Sequence, residues 1–267
     1  MPTVSGDALL DLTNGEGRMT RRLSALSFDA LETALVAGFA CLCVWAYVSM
    51  DRIPLELEPL RARYGSDRYS ENGEEWIIRD FFKDRRDGFF VDVGANHYKN
   101  FSNTYYLESR LGWSGIAVEP QQEFEEDYRK FRPRTRFFAF FAADKSGENA
   151  SIYVLDRQRL VASGTRDFAE KWGKDSREVV VPAITLDDLL AQLRVERIDL
   201  LSIDVELSEP KVLAGFDVGV YRPSLVCIEA HPETRQGILD FFAERGYVVV
   251  GKYLRADTRN LYFKPLH

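Results

Sequence analysis

Two short apolar segments that stop at polar residues constrain this chain more than any other feature of its sequence. They span residues 89–93 and 114–118. Continuous apolar runs of this length are typical of parallel strands that are covered on both faces. The residues at or just beyond their ends are Asp92, Gly94, Ala95, Asn96 and Glu119. Because ligands of open α/β sheets bind at the carboxyl ends of the strands, these residues are predicted to line a binding site.

The glycines at the first strand end distinguish between two classes of nucleotide cofactor. A dinucleotide-binding turn follows the pattern G-x-G-x-x-G, in which the later glycines let a pyrophosphate approach the backbone. Here Gly94 lacks those further glycines but permits one tight turn. Glu119 is placed to accept hydrogen bonds from a ribose diol. The pattern therefore favours S-adenosylmethionine, which carries no phosphate, over NAD. An ordinary turn between a strand and a helix is the structural alternative.

Composition argues against some classes of function. The 267 residues carry a formal net charge of −7, whereas a nucleic-acid-binding surface is basic. The three cysteines and three histidines are scattered along the chain and form neither a disulfide framework nor a zinc-binding pattern. We therefore expect no nucleic-acid partner and no bound metal, with a carboxylate–histidine metal site as the alternative.

An uncharged and mostly apolar run near the N-terminus, residues 33–50, has about the minimum length of a membrane span. Arginines lie on both sides of this run, so the positive-inside rule assigns no orientation. We predict a flexible tail at 1–29, a single transmembrane helix at 30–50, a linker with some helix at 51–69 and a folded domain at 70–267. A buried core helix or an oligomerisation helix is the alternative interpretation of the apolar run.

The folded domain alternates strand and helix patterns. Apolar runs predict strands at 89–93, 114–118, 135–142, 199–204 and 225–229. Amphipathic runs predict helices at 74–83, 103–111, 121–130, 186–193, 210–214 and 234–245. Runs at 247–250 and 261–263 predict a terminal antiparallel pair, and those at 151–155 and 179–181 predict strands that bracket an insertion. The pattern predicts an α/β fold with a seven-stranded Rossmann-like sheet and a terminal antiparallel hairpin.

Two further strand ends carry residues suited to proton transfer. Asp204 ends the strand at 199–204, Glu206 lies just beyond it, and His231 follows the strand at 225–229. A positioned carboxylate or imidazole can remove a proton from a hydroxyl group held in line with a methyl donor. We therefore predict that Asp204, Glu206 and His231 act as general bases or position the acceptor. A helix cap for Asp204 and a hydrogen-bonded loop position for His231 are the structural alternatives.

Two other segments carry weaker signals for binding. Asp144 follows the third predicted strand, where it either accepts a hydrogen bond from the adenine amine or serves as a turn residue. The insertion at 156–178 is rich in arginine and lysine and contains Trp172. Such a loop either selects an anionic or glycan acceptor, with Trp172 stacking on a sugar ring, or is a solvated charged loop.

Several segments of the folded domain share their residues and their order with one enzyme family. They are YSENGE, FFVDVGANHYKNFSNTYYLE, GWSGIAVEPQ, AADKSGE, ITLDDLL, IDLLSIDVELSE, KVLAGF and PSLVCIEAH. On these motifs the domain resembles the FkbM-type S-adenosylmethionine-dependent methyltransferases. The resemblance implies a seven-stranded methyltransferase sheet and O-methylation, commonly of a sugar or polyketide-derived hydroxyl. The residues that it places around the cofactor are Asp92, Gly94 and Asn96 in the turn, Glu119 at the ribose and Asp144 at the adenine.

One position departs from the pattern of that family. Its members usually carry glycine after the second acid of a D-x-E-G-x-E segment, where this chain has Leu207 within DVELSE. If this position has a positive φ, a leucine strains the loop by roughly 1–2 kcal/mol. We therefore expect a reshaped catalytic rim or a reduced activity.

These observations support three functional hypotheses. The first is a membrane-anchored O-methyltransferase, with its catalytic domain on the cytoplasmic side, that acts on a hydroxyl of a glycan, a lipid-linked sugar or a related small molecule. The second is a non-catalytic, membrane-anchored interaction or trafficking module with a methyltransferase-like fold, which Leu207 supports and the intact cofactor turn opposes. The third is an NAD-dependent enzyme, which the missing glycines disfavour.

Overall fold

Alternating strands and helices make up most of the described chain, which comprises residues 56–155, 158–172 and 176–266 of a computed structural model. The strands are β1 (Phe89–Val93), β2 (Ser114–Val118), β3 (Thr135–Phe138), β4 (Phe141–Ala142), β5 (Asn149–Leu155), β6 (Gln158–Ser163), β7 (Ser176–Ile184), β8 (Leu200–Ile203), β9 (Leu225–Glu229), β10 (Tyr247–Val249) and β11 (Asn260–Pro265). The α-helices are α1 (Glu58–Tyr64), α2 (Glu74–Phe82), α3 (Tyr105–Leu111), α4 (Glu125–Phe131), α5 (Arg166–Trp172), α6 (Leu186–Gln192), α7 (Glu209–Ala214), α8 (Val218–Tyr221) and α9 (Arg235–Glu244). Short 3₁₀ helices precede α4 and follow β10, at Gln122–Phe124 and Gly251–Tyr253.

The main sheet has seven strands in the order β10-β11-β9-β8-β1-β2-β3. Five strands, β9, β8, β1, β2 and β3, are parallel to one another. β11 is antiparallel to both β9 and β10. β1, β2 and β9 begin and end where the apolar runs predict. The predicted α/β fold, with a Rossmann-like methyltransferase sheet and a terminal antiparallel hairpin, is therefore confirmed.

The two faces of this sheet bury separate sets of apolar side chains. Val91 and Val93 of β1 pack into one cluster, and Phe90 packs into another, as the two-residue period of a strand requires. Trp113 is fully buried with Phe90, and its indole N–H donates to the Arg85 carbonyl at 2.7 Å. Burial on both faces explains why the sequences of the central strands are continuous apolar runs.

The direction of strand addition reverses at β1. The chain adds β2 and β3 on one side of β1, and later adds β8 and β9 on the other side. The carboxyl ends of β1 and β8 meet there, and the Asp204 N–H donates to the Val93 carbonyl at 2.9 Å. Such a switch point is where open α/β sheets bind ligands.

A second sheet, of four strands in the order β4-β7-β5-β6, is the main difference from the predicted fold. The predicted strand at 135–142 is two strands, because the Phe138 carbonyl accepts the N–H groups of both Glu119 and Phe140 and the chain turns there. β5 and β7 correspond to the strands predicted to bracket the insertion. β6 pairs with β5 inside the insertion, and its short apolar run did not predict a strand.

The predicted membrane helix at 30–50 and the tail at 1–29 lie outside the described residues. Among the residues that are described, no helix combines the length and apolar character needed to cross a membrane. Within the segment predicted as a linker, 51–69, the structure shows α1, and Leu57 just before it is buried in the core beside α2. The predicted boundaries between tail, linker and folded domain stay predictions.

Candidate functional site

Gly94 forms a tight turn at the carboxyl end of β1. Its φ is 79°, and its N–H donates to the Val118 carbonyl at 2.9 Å. A Cβ at this position would lie 1.7 Å from the carbonyl oxygen of Asp204, so only glycine lets the turn pack against the end of β8. The next residue, Ala95, is buried, and its carbonyl accepts the Tyr128 hydroxyl at 3.0 Å. The predicted turn is thus fixed by both neighbouring strands and by α4.

Glu119, at the end of β2, is joined to this turn by hydrogen bonds. Its Oε2 accepts from the Asn96 N–H at 3.1 Å, and its Oε1 accepts from the Gln121 N–H at 3.0 Å. Burial raises the pKa of the Glu119 carboxyl to about 7. The structure therefore brings Gly94, Asn96 and Glu119 together, as the sequence predicts.

Asp92 belongs to a buried polar network behind the turn. Its Oδ2 accepts the Thr104 hydroxyl at 2.7 Å. The fully buried Arg132 donates to Thr104 Oγ1 at 3.1 Å and forms an ion pair with Glu108. Asp92 thus connects β1 to the start of α3 within a fully hydrogen-bonded network, while its predicted contact with a cofactor stays a prediction.

Four titratable side chains, here called the acidic rim, cluster where β8 and β9 end. They are Asp204, Glu206, Glu229 and His231. His231 Nε2 lies 2.9 Å from Glu229 Oε2 and 3.6 Å from Glu206 Oε2. The carboxyl groups of Asp204 and Glu229 are hydrogen-bonded to each other. The structure thus brings the three predicted catalytic residues together and adds Glu229 to them.

Burial and crowding shift the pKa values of the acidic rim. Burial, together with the charges of Asp204 and Glu206, raises the pKa of Glu229 to about 10. Burial and the Asp204 charge raise the pKa of Glu206 to about 8. Burial also lowers the pKa of the His231 imidazole. Near pH 7 the rim therefore holds protonated carboxyl groups beside a neutral imidazole.

Asp204 lies directly after β8, where its backbone packs against the glycine turn. The residue is exposed. Desolvation of its carboxyl, together with the charges of Glu71 and Asp92, raises its pKa to about 6. The structure therefore places an exposed acidic residue next to Gly94.

The loop after β8 has a strained backbone. Glu206 has a φ of 50° and Leu207 a φ of 74°, so the departure from glycine falls at a position with positive φ. The Ser163 hydroxyl donates to the Glu206 carbonyl at 3.0 Å, and the Val205 N–H donates to Glu209 Oε1 at 3.2 Å. These hydrogen bonds hold the loop in place, and the one from Ser163 brings the end of β6 against the acidic rim.

Sequence reasoning missed two charged residues that act on the acidic rim. Arg259 Nη1 lies 3.4 Å from Glu71 Oε1, and both side chains act electrostatically on Asp204 and Glu206. Glu71 precedes α2 and Arg259 precedes β11, so only the folded chain brings them together. Glu229 was detectable, because an acid at the end of an apolar strand is the same signal that identified the residue after β2.

The remaining predicted binding segments lie on exposed surface. Asp144 is exposed in the turn after β4, and its contact with adenine stays a prediction. In the insertion, Arg166 Nη2 lies 3.6 Å from Glu178 Oε2, and both side chains are exposed. This pair fits the solvated-loop interpretation, whereas the Trp172 side chain lies outside the described residues.

Three members of the acidic rim offer a donor set suited to a metal ion. Among the described residues, Glu206, Glu229 and His231 each place one ligand atom within 4.8 Å of the other two. One imidazole and two carboxylates at this separation fit the carboxylate–histidine alternative, although the spacing of these residues in the sequence gives no recognisable ligand motif.

Comparison with known proteins gives one family match. The family model described as "Methyltransferase FkbM domain" matches residues 92–249, which is more than half of the chain. No curated protein matches the chain.

Solved structures that resemble the chain include several methyltransferases. A TehB-like SAM-dependent methyltransferase from Corynebacterium glutamicum has 12% identity and a TM-score of 0.42, over 77% of this chain and 92% of that one. A precorrin-6y C5,15-methyltransferase from Geobacter metallireducens has 10% identity and a TM-score of 0.41, over 67% and 73%. A SAM-dependent methyltransferase from Geobacter sulfurreducens in complex with S-adenosyl-L-homocysteine has 10% identity and a TM-score of 0.37, over 78% and 80%. The strand order, rather than these distant likenesses, carries the fold assignment.

Proposed function

The chain belongs to the FkbM family of S-adenosylmethionine-dependent methyltransferases, and we propose that it transfers the methyl group to a hydroxyl of a glycan, a lipid-linked sugar or a related small molecule. One observation carries the proposal. Asp204 is exposed, and its backbone packs against the Gly94 turn. A proton acceptor therefore lies beside the turn where the methyl donor is expected to bind.

The residues around the turn fit an S-adenosylmethionine cofactor. The Gly94 turn presents backbone without a side chain, which leaves room for a nucleoside to approach. Glu119 has two acceptor oxygens on a carboxylate that is held in place by the Asn96 N–H, and vicinal ribose hydroxyls require acceptors of this kind. When bound there, the cofactor supplies an electrophilic methyl group on a sulfonium.

The acidic rim supplies the groups that such a transfer needs from the protein. A sugar hydroxyl has a high pKa, so a positioned base increases its reactivity as the proton leaves. We assign that role to the Asp204 carboxylate because Asp204 is an exposed acid that directly adjoins the Gly94 turn. Glu206 and His231 lie farther along the rim, where their side chains are placed to orient the acceptor hydroxyl in line with the methyl group.

The test separates cofactor binding from transfer. Full-length protein and the Asp204→Asn variant are titrated with S-adenosylmethionine by calorimetry and are then assayed with a methyl-labelled donor on glycans, lipid-linked sugars and small hydroxyl compounds. We expect both proteins to bind the donor, and the variant to lose about 10²–10⁴-fold in transfer rate. Asp240→Asn, an exposed residue on α9, is the matched control and is expected to keep full activity.

Two results would overturn the proposal. The absence of binding at millimolar S-adenosylmethionine contradicts the cofactor site. Methyl label recovered on nitrogen or carbon, identified by mass spectrometry of the product, contradicts O-methylation while leaving the cofactor site intact.

A non-catalytic role is the second candidate, and one observation favours it. Leu207 occupies a position with positive φ in the loop that carries Glu206, where the family usually has glycine. If the chain acts only as an interaction or trafficking module, the Glu119→Ala variant is expected to keep its cellular activity. Loss of that activity supports the enzyme.

Membrane attachment is part of the proposal on the strength of the apolar run at 33–50 alone. A single-pass anchor with a cytoplasmic catalytic domain would suit a lipid-linked acceptor, because the methyl donor is a cytosolic compound. Full-length protein is expected to stay with the membrane pellet during alkaline carbonate extraction, and its release into the supernatant contradicts the anchor.

A further inference from the structure

The acidic rim gathers more metal-ligating atoms than proton removal by Asp204 requires. Glu206, Glu229 and His231 each contribute one ligand atom, all within 4.8 Å of one another. The separations of 2.9 Å and 3.6 Å from His231 Nε2 to the two carboxylates are of the size produced by a cation that lies about 2.0–2.2 Å from each ligand. Two of these residues are partly exposed, so the group is reachable from solvent.

We propose that Glu206, Glu229 and His231 bind one divalent transition-metal cation. Imidazole nitrogen together with carboxylate oxygen suits borderline cations such as Mn²⁺ and Zn²⁺ better than Ca²⁺, which takes six to eight oxygens. Three protein ligands leave at least one coordination position open, as in catalytic rather than structural sites.

Glu209 provides a second, independent observation. It is fully buried at the start of α7, where its Oε1 accepts the Val205 N–H at 3.2 Å and its Oε2 has no hydrogen-bond partner. Its charge acts on Asp204, Glu206 and Glu229, so this buried carboxyl lies close to the acidic rim. A buried carboxyl oxygen without a donor is costly unless the group is protonated or a cation lies nearby.

Two basic side chains act electrostatically on the acidic rim. Arg259 acts on Asp204, Glu206 and His231 and pairs with Glu71 at 3.4 Å, and Lys171 acts on His231. Within the rim, the carboxyl groups of Asp204 and Glu229 share a hydrogen bond. A divalent cation would replace shared protons as the positive charge that these oxygens surround.

The cation would also explain why the rim adjoins the site of transfer. A bound divalent cation polarises a coordinated hydroxyl and lowers its pKa, which eases proton loss to Asp204. This role rests on the proposed function, whereas cation binding itself does not. Acceptors with two adjacent hydroxyls, as in many sugars, would gain most because they can occupy two coordination positions.

Binding is tested with the metals alone on full-length protein from which metals have been removed by chelation. Mn²⁺ is titrated and followed by electron paramagnetic resonance, and Zn²⁺ and Mg²⁺ are titrated by calorimetry. We expect one Mn²⁺ per chain, and at least about tenfold weaker binding in Glu206→Gln and His231→Gln. Glu244→Gln, on the exposed side of α9, is the matched control and is expected to bind as the parent does. Binding of S-adenosylhomocysteine verifies that each variant is folded.

The outcomes separate this inference from the proposed function. No binding of Mn²⁺, Zn²⁺ or Mg²⁺ at millimolar concentration overturns the metal site, as does equal binding by the parent and Glu206→Gln. If Mn²⁺ binds at the rim but no hydroxyl acceptor is methylated, the metal site stands and the proposed function fails. If methyl transfer proceeds at the same rate in chelator-treated protein, the cation has no part in the reaction.

Discussion

The carboxyl edge of the main sheet has two halves, the ends of β1 and β2 and the ends of β8 and β9, and the surroundings of their carboxyl groups differ. At the ends of β1 and β2, each carboxylate is matched to donors, as Asp92 is to Thr104 and Glu119 is to Asn96. At the ends of β8 and β9, carboxyl groups face one another, and Glu229 bonds to Asp204. The first half thus pairs its carboxylates with protein donors, whereas the second half brings several carboxyl groups together.

The backbone strain also differs between the two halves. Gly94 makes its positive-φ turn without strain, because glycine has no Cβ. Glu206 and Leu207 make theirs with side chains that disfavour that conformation. Strain of this kind is typical of functional loops that the surrounding structure holds in place. Asn96, in the Gly94 turn, also has a positive φ of 48°, but asparagine adopts this conformation more readily than glutamate or leucine, so the turn of the first half is less strained than the loop of the second.

Removal of a positive charge from the first half is expected to have the largest effect. Arg132→Met leaves Glu108 buried without its ion-pair partner, and breaking a buried pair in this way costs about 3–5 kcal/mol. The free energy of unfolding is measured by urea denaturation. Arg134→Met, at an exposed position, is the control and is expected to cost less than about 1 kcal/mol. Equal losses in the two variants would show that the network behind the turn is not energetically distinct.

Gly94→Ala tests whether the two halves touch through the backbone. The added Cβ would lie 1.7 Å from the Asp204 carbonyl oxygen, so we expect a loss of about 2–4 kcal/mol from strain and overpacking, together with loss of cofactor binding. Gly147→Ala has a similar φ of 82° but nothing within 4 Å of its Cβ. It is expected to lose about 1 kcal/mol. Similar stabilities of these variants would contradict the close approach of β1 and β8.

Glu119→Gln measures what a single matched carboxylate contributes to the cofactor. Exchange of charged for neutral acceptors is expected to weaken S-adenosylmethionine binding by about 1–2 kcal/mol, or roughly 5–30-fold. Because the pKa of Glu119 is raised to about 7, the carboxylate form that accepts ribose hydroxyls gains population as the pH rises. Calorimetry is therefore expected to show tighter binding at pH 8 than at pH 6 in the parent and no such change in the variant. A pH dependence that persists in Glu119→Gln assigns the titration to another group.

The raised pKa of Glu119 also makes stability depend on pH, but stability falls as the pH rises, whereas cofactor binding tightens. A carboxyl whose pKa is raised on folding stabilises the ligand-free protein fully below its unfolded pKa and loses that contribution as the pH rises through its folded value. The stability of the ligand-free parent relative to Glu119→Gln is therefore expected to fall as the pH rises through about 7. A difference that stays constant between pH 6 and pH 8 would contradict the raised pKa.

The sequence predicts the first half of the edge better than the second. Gly94 and Glu119 follow long apolar runs, so their strands, their register and their proximity follow from local pattern. The partners in the acidic rim come from distant segments, as Glu71 and Arg259 show. No local sequence pattern predicts contacts between such distant segments. Residues 206, 229 and 231 come close together only because of the order of strands in the sheet.

The fold shows the same division between local and non-local information. Strands buried on both faces are predicted to the residue, as β1 and β9 are. The predicted strand at 135–142 divides because the chain turns after Phe138, where the Phe140 N–H donates to the Phe138 carbonyl, and β4 then pairs with β7 of the second sheet. The second sheet depends on pairings within the insertion, where β6 has too short an apolar run to predict a strand.

Replacement of a carboxyl group in the second half is expected to have a much smaller effect on stability. Burial and the charges of Asp204 and Glu209 raise the pKa of Glu206 to about 8, so its carboxyl is largely protonated near pH 7 and glutamine is a close neutral replacement. The metal-free Glu206→Gln variant is therefore expected to match the parent in stability within about 1 kcal/mol. The loss of function is then expected in Mn²⁺ binding and methyl transfer. Thermal unfolding of chelator-treated proteins gives the comparison. A destabilisation as large as that of Arg132→Met would contradict the proposed difference between the two halves.

The smallest expected effect concerns the strained loop of the second half. Leu207→Gly relieves about 1–2 kcal/mol of backbone strain at φ 74°, but it adds about 0.5–1 kcal/mol of unfolded-chain entropy and removes a half-buried side chain. We therefore expect stability to change by less than about 1 kcal/mol, while the loop samples more conformations. The informative measurement is the ratio of transfer rate to cofactor affinity. If the loop strain limits transfer, the rate rises while S-adenosylmethionine binding at Glu119 is unchanged. If the rate falls, the leucine conformation is itself required, because it holds the Glu206 carboxylate in the rim.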